Sequence, residues 1–379
     1  MLRVLTLSTL FPDATRPNFG VFVERQTLGL AAHPDVDLRA VAPIGLPPWP
    51  LSKLQHSALA TLPPKETWKG LEVYRPCFLA MPGIGGRLHA TAVTRSLIPL
   101  LTEIRRSFPF DVIDAEFFFP DGPAAVALGQ RFRVPVSIKA RGADIHYWGH
   151  ATGTARQVRR AGQAASGLLA VSEAMRADMA SIGIPANKVR VHHTGVDLTR
   201  FTPATRTTDS RHVVSLGALI PRKGHDIVLR AVASLAGVSL DIIGEGPERG
   251  RLEADISRLG VGDRIRLLGT VPHADLPALL AAANVMALAS ASEGLANAWV
   301  EALACGTPIV ITDAGGAGEV VTDAAYGRIV ARDDAAFASA IAALLADPPA
   351  PDSVRDGAAG FTWEVNTAAL YAHLLALAA

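Results

Sequence analysis

From position 212 onward, apolar runs of four or five residues alternate with longer segments whose apolar residues return every three or four positions. Short β-branched runs suit strands buried on both faces, and the wider spacing suits helices with one apolar stripe. Residues 212–216 read as a strand, after which Ile227, Val228, Ala231, Val232 and Leu235 fall on one helical face. Further strands are expected at 240–243, 264–268, 284–288, 308–311 and 328–330. Helices are expected up to about 259, over 276–283 and over 334–345. Strands separated by helices run parallel, because each helix carries the chain back to the starting edge.

The first half repeats this rhythm less regularly, with strands expected at 3–7, 38–42, 112–114, 136–138, 168–171 and 189–191. Stretches rich in Pro and Gly at 43–50 and 81–86 read as loops, and the polar segment 202–210 reads as a linker. The chain of 379 residues is long enough for two cores. The expected fold class is therefore α/β, two Rossmann-like doubly wound parallel-sheet domains, 1–206 and 207–361, facing across a cleft. Ligands of such sheets bind at the carboxyl ends of the strands.

Composition narrows the partners. Apolar residues make up 49% and charged residues 19%, which excludes a disordered chain. No run approaches the roughly 18 apolar residues that span a bilayer, and residues 1–8 read as a buried strand rather than a signal peptide. Cys77 and Cys305 are too few for a disulfide framework, and a reducing cytoplasm is the simplest location. Residues 1–206 carry 24 Lys/Arg against 15 Asp/Glu, and the remainder 12 against 20, so a chain of net charge +1 divides into a +9 half and a −8 half. The split implies different partners for the two halves, with an anionic membrane surface as the candidate for the first. Basic residues dispersed without aromatic interleaving argue against a nucleic-acid partner.

Two segments carry the chemistry. The first runs from Ser290 to Pro308 and contains Glu293, Gly294, Leu295 and Glu301. It follows a strand, and Leu295, Ala298, Trp299, Ala302 and Leu303 mark an inward-packing helix that Gly306 ends. Glu293 is then expected at the helix N-terminus and Glu301 about two turns further in, up to about 12 Å away. Amides near Gly294 and Leu295, at the positive helix end, suit phosphate. The second segment is Gly217-Ala218-Leu219-Ile220-Pro221-Arg222-Lys223-Gly224-His225, where two cations follow a strand and open a helix. Such a place suits a diphosphate.

The Glu293/Glu301 segment, with its Ala304-Cys305-Gly306-Thr307-Pro308-Ile309-Val310 continuation, resembles the Glu-x7-Glu signature of family-4 retaining glycosyltransferases. The Arg222-Lys223-Gly224 loop resembles that family's phosphate loop, and Gly244-Glu245-Gly246-Pro247 and Gly315-Gly316-Ala317-Gly318-Glu319 match weaker motifs. The resemblance implies a GT-B enzyme moving a sugar from a UDP- or GDP-sugar without a metal. Arg222 and Lys223 would stabilise the leaving diphosphate, Glu293 would lie near the donor sugar, and Glu301 would bind ribose hydroxyls. Gly244 and Gly246 would let the backbone turn beside the donor. The tail, 362–379, would return to the first domain. The first domain's loops resemble those of bacterial exopolysaccharide and capsule enzymes, implying a glycan or lipid-linked acceptor and a peripheral place at the inner membrane face.

Departures concentrate in the first domain. One glycine, Gly20, stands where relatives often carry two, and Arg141-Gly142-Ala143-Asp144 replaces the common His-Gly-x-Asp. Arg141 can hold phosphate or an acidic sugar but is not a titrating base near neutrality. Asp35-Val36-Asp37 matches a metal motif of the other large glycosyltransferase fold, yet its position suits the start of a surface strand. The alternatives are a nucleotide-sugar epimerase of related fold and a non-catalytic nucleotide-sugar-binding protein.

Overall fold

The computed structural model describes residues 1–48, 57–81, 86–204 and 211–379. The chain divides into two compact units, Met1–His193 with Trp363–Ala379, and Thr194–Thr362.

The first unit is built on β1 (Leu2–Leu7), β2 (Val36–Val41), β3 (Ile44–Leu46), β4 (Lys65–Trp68), β5 (Leu71–Tyr74), β6 (Cys77–Leu79), β7 (Val112–Ala115), β8 (Val136–Ala140), β9 (Gly167–Ala170) and β10 (Val189–Val191). Its main sheet has the order β10-β9-β8-β7-β1-β2-β5-β4, parallel except for β4. Every residue of β7, β8 and β9 is buried, as strands covered on both faces require. The helix Gly86–Ser107 buries Ala90, Val93, Leu97, Leu101 and Ile104, so its apolar face belongs to the core.

The sequence reading missed four strands here. β4 and β5 form a hairpin turning at Lys69 and Gly70, both at positive φ. β4 is an edge strand, Lys65-Glu66-Thr67-Trp68, whose single apolar residue cannot show the alternation that would announce it. β3 and β6 form a separate parallel pair, and β3 lies inside the Pro-rich stretch read as a loop. Both are three residues long, too short for any period to show.

The second unit carries β11 (His212–Leu216), β12 (Ser239–Ile243), β13 (Ile265–Gly269), β14 (Val285–Leu288), β15 (Ile309–Thr312) and β16 (Gly327–Val330), all parallel. Their order, β13-β12-β11-β14-β15-β16, reverses direction between β11 and β14. Val213, Val228, Leu240, Ile242, Val285, Ala287 and Phe337 fill the core.

The units divide at His193 rather than at residue 206. The Val196 amide donates to the Phe361 carbonyl at 2.7 Å, and Arg355 donates to the carbonyls of Leu198 and Phe201 at 2.5 and 2.6 Å. These bonds tie residues 194–201 to the second unit. The expected linker lies in part outside the described residues. The final helix, Trp363–Ala378, belongs to the first unit, where Tyr371 stacks on His33 at 3.9 Å.

Candidate donor site

The crevice between β11 and β14 is the switch point of the second sheet, where neighbouring connections leave in opposite directions and the strand ends stand open to a ligand. The chain after β11 makes a short 3₁₀ turn, Pro221–Lys223, then Gly224 and the helix His225–Ala233. The chain after β14 carries Ser290 and Glu293. The two loops are joined directly, since the Ala291 amide donates to the Arg222 carbonyl at 2.7 Å. Arg332, beyond β16, braces them further, donating to Ala289 O at 2.8 Å and to Pro221 O at 3.0 Å.

Arg222, Lys223 and Glu293, seventy residues apart in sequence, meet here. The Lys223 ammonium donates to Glu293 Oε1 at 2.5 Å, and the Ser290 hydroxyl donates to the same oxygen at 2.6 Å. Arg222 Nη1 lies 3.6 Å from Glu293 Oε2 and donates to the Ser292 carbonyl. The Arg222 side chain is 43% exposed and that of Lys223 15%. The arginine therefore remains available to an incoming anion, while the lysine is held in place by its partner.

Backbone geometry makes room beside these cations. Gly244, directly after β12, has φ 144°, and a Cβ there would lie 1.9 Å from the Gly217 carbonyl oxygen. Only glycine allows the two turns this approach. At Gly246 a Cβ would lie 2.4 Å from the Leu219 carbonyl oxygen. Beneath the turn, His225 Nδ1 bonds the Ser215 hydroxyl at 2.9 Å while Nε2 has no hydrogen-bond partner among the described residues. Burial first, and then the Lys223 charge, push the His225 pKa down to about 4, so the ring is neutral at pH 7.

Glu301 occupies the helix Asn297–Ala304. That helix starts later than its apolar pattern implied, leaving Gly294 and Leu295 in the preceding loop and Glu301 little more than one turn in. Gly294 is held by its carbonyl, which accepts from the Gly316 amide at 2.8 Å. Glu301 Oε1 accepts from His273 Nε2 at 3.0 Å.

Gly20 and Arg141 lie in the first unit. Gly20 has φ 69° and caps the helix Val21–Ala31, and a Cβ there would sit 2.5 Å from the Leu10 carbonyl oxygen. The Arg141 side chain is 8% exposed, forms an ion pair with Glu116, donates Nε–H to the Glu116 carbonyl at 2.7 Å and lies 4.9 Å from the Phe22 ring centre. Its charge thus has an internal partner, which the motif alone did not reveal. Glu116 also accepts from Gln26, whose carbonyl accepts from the buried Lys139 at 2.6 Å. Lys139 meets His192 Nδ1 at 2.6 Å, and burial drives the pKa of both lysine and histidine well down. His146 pairs with Asp178 at 2.9 Å. Asp35 and Asp37 are both exposed, Asp37 on β2, and among the described residues no group of three His, Cys, Asp or Glu side chains is placed to hold a metal ion.

Sequence reasoning passed over Ser290, Arg332, His273 and His225. Ser290 and His225 stand inside the two informative segments. Arg332 and His273 carry no local signal, because each acts on a loop distant in sequence.

A family model described as Glycosyltransferase Family 4 matches residues 65–200, and one described as Glycosyl transferases group 1 matches residues 200–361. TuaC of Bacillus subtilis (strain 168), a glycosyltransferase assigned to teichuronic acid biosynthesis, is 28% identical over 83% of this chain and 82% of its own length. A GDP-mannose-dependent alpha-(1-6)-phosphatidylinositol monomannoside mannosyltransferase of Mycolicibacterium smegmatis is 34% identical over 55% of this chain and 60% of its own. The crystal structure of HepE of Anabaena in complex with UDP matches with a TM-score of 0.74 and 21% identity, covering 100% of both chains. At that identity the likeness shows the fold, which is GT-B.

Proposed function

This chain belongs to the group 1, family-4 glycosyltransferases, and from that membership we propose that it transfers a sugar from a nucleotide-diphosphate sugar with retention of configuration and without a metal ion. The observation that carries this reading is the convergence of Arg222, Lys223, Ser290 and Glu293 at the switch point of the second sheet. Breaking the bond between the anomeric carbon and the phosphate oxygen leaves positive charge on the sugar and negative charge on the departing diphosphate. Two fixed cations and the adjacent amides oppose that negative charge without reorganising, where they are worth most.

Glu293 holds Lys223 in place and lies near Arg222. A diphosphate carries more charge than one carboxylate and takes over both cations, freeing Glu293 to face the donor sugar. The acceptor hydroxyl attacks from the side the diphosphate leaves, and its proton passes to the leaving phosphate oxygen. Glu301 holds the ribose hydroxyls. Gly294, Leu295, Gly244 and Gly246 contribute backbone.

HepE is solved with UDP and with UDP-glucose, and the mannosyltransferase of M. smegmatis is named for GDP-mannose, so both nucleotides belong in the screen. The acceptor we favour is a lipid-linked glycan of cell-surface polysaccharide synthesis, met at the inner face of a membrane by a peripheral enzyme. The test is to incubate the chain with UDP- and GDP-sugars, a lipid-linked acceptor and excess EDTA, and to read the anomeric configuration of the product by NMR. A retained product formed in EDTA is expected. An inverted product, or activity that returns only with added Mg²⁺ or Mn²⁺, would overturn the mechanism. Sugar isomerisation without acceptor would make the chain an epimerase.

A further inference from the structure

We propose that His273 is a positioning residue that sets the Glu301 carboxylate for the ribose hydroxyls of the donor, an inference that rests on reading Glu301 as the nucleoside contact. A glutamate on a helix has three side-chain torsions, and holding two adjacent hydroxyls requires its carboxylate plane to be set in advance. His273 Nε2 lies 3.0 Å from Glu301 Oε1. An ionised carboxylate only accepts, so the imidazole donates through Nε2. None of the described residues bonds Glu301 Oε2, which leaves that oxygen for a ligand.

His273 is itself fixed from two directions. Its ring meets Phe201 edge-on, with centroids 5.6 Å apart and planes at 81°. Its carbonyl accepts from Arg200 Nη2 at 2.6 Å. Arg355 in turn holds the Phe201 carbonyl at 2.6 Å. A hydrogen bond partly open to solvent contributes little net stability, and the His273 side chain is 23% exposed. The bracing therefore serves orientation more than folding. Residues 200, 273, 301 and 355, far apart in sequence, end in one carboxylate oxygen.

The experiment measures UDP and GDP binding by calorimetry to His273→Ala, His273→Gln and His273→Asn, alone and combined with Glu301→Ala. His273→Ala is expected to weaken the nucleotide that binds the native chain by about 5- to 20-fold, below the roughly 10- to 150-fold of losing a hydrogen bond to a charged group outright, because the carboxylate remains and only its orientation is lost. Gln places an amide N–H where Nε2 stood and should restore binding to within about threefold, whereas the shorter Asn should not. Inhibition by inorganic pyrophosphate and binding of a 2′,3′-dideoxynucleoside diphosphate should be unchanged in all three. In the Glu301→Ala background, His273→Ala should add nothing. Native-like binding by His273→Ala and His273→Asn alongside weak binding by Glu301→Ala would overturn the role of His273 alone. Native-like binding by Glu301→Ala would remove the reading of Glu301 and this inference with it. Weakened pyrophosphate inhibition in the His273 variants would show general damage to the site and also overturn the proposal.

Discussion

Glu293 draws a lysine, a serine and a nearby arginine toward one carboxylate, so each member of this group has a distinct expected effect. Arg222→Ala and Lys223→Ala should each lower turnover about 100-fold or more, the scale of losing a preorganised contact to a developing negative charge. The melting temperature of Arg222→Ala should barely change, since that side chain is 43% exposed, whereas Lys223→Ala leaves the buried Glu293 carboxylate without its nearest cation and should lower it. Steady-state kinetics with near-normal turnover for both would remove them from the mechanism. The two glutamates should separate. Glu301→Ala should weaken nucleoside-diphosphate binding by about 1.5–3 kcal/mol, the scale of a hydrogen bond to a charged group. Glu293→Ala should lower transfer more than it lowers nucleotide binding. Calorimetry beside turnover measurements would reveal the opposite pattern if the roles were reversed.

At the scale of elements, the turns after β11 and β12 approach so closely that their shape depends on Gly244. Gly244→Ala places a methyl group 1.9 Å from the Gly217 carbonyl oxygen at φ 144°. The loop bearing Lys223 must move, and a shift of about 1 Å costs roughly 100-fold in rate. Turnover should fall on that scale while circular dichroism stays native, and unchanged turnover would show that the loop tolerates displacement. In the first unit, Asp121 opens the helix Asp121–Phe132 and accepts from the Thr9 amide at 2.8 Å, tying the end of β1 to that helix. Burial raises its pKa from 3.8 to about 7, with Asp144 and Glu116 adding to the rise and the Thr9 bonds opposing it. Between those two values the folded chain keeps a proton that the unfolded chain has released. Its stability therefore falls as pH rises through this window and levels above it. Asp121→Asn cannot ionise and should lose less stability between pH 5 and pH 8 than the native chain. Parallel melting-temperature profiles would show that Asp121 does not titrate there.

For the molecule as a whole, the charge split persists when counted by compact unit. The first unit carries 22 Lys/Arg against 15 Asp/Glu, and the second 14 against 20. Among the described residues no helix is long and apolar enough to cross a membrane. Leu97 and Leu101, on the helix that carries Arg95 and Arg105, are buried in the core and do not reach the surface. Arg105 is engaged as well, donating to the Phe110 carbonyl at 3.0 Å. Membrane contact through this unit would therefore rest on Arg87, Arg95, Arg106, Arg156, Arg159 and Arg160, together with exposed Leu88 and Tyr147. Each well-placed Arg contributes about 1 kcal/mol at an anionic surface, screened over a Debye length of about 8–10 Å. The intact chain should co-sediment with anionic vesicles at low salt and release as salt rises. Equal, negligible pelleting with anionic and neutral vesicles would point to a soluble acceptor.

What the sequence determined by itself was whatever depends on neighbouring residues. Strand and helix periods, the glycines at turns, and the cations and glutamates that follow strands are all written within a few positions. Hence the six strands of the second sheet were read to within about a residue, and both informative segments lie at its switch point. Short or polar pieces such as β3 and β4 escaped, because three or four residues show no period and an edge strand needs no apolar face. Tertiary structure alone decided the partners. Lys223 finds Glu293, Glu301 finds His273 and Arg141 finds Glu116 only after the sheets have closed, and a buried charge takes whichever counter-charge the packing brings within reach. The unit boundary was settled in the same way, by the bonds that Val196 makes with Phe361 and Arg355 with Leu198, across a chain separation that no local pattern records.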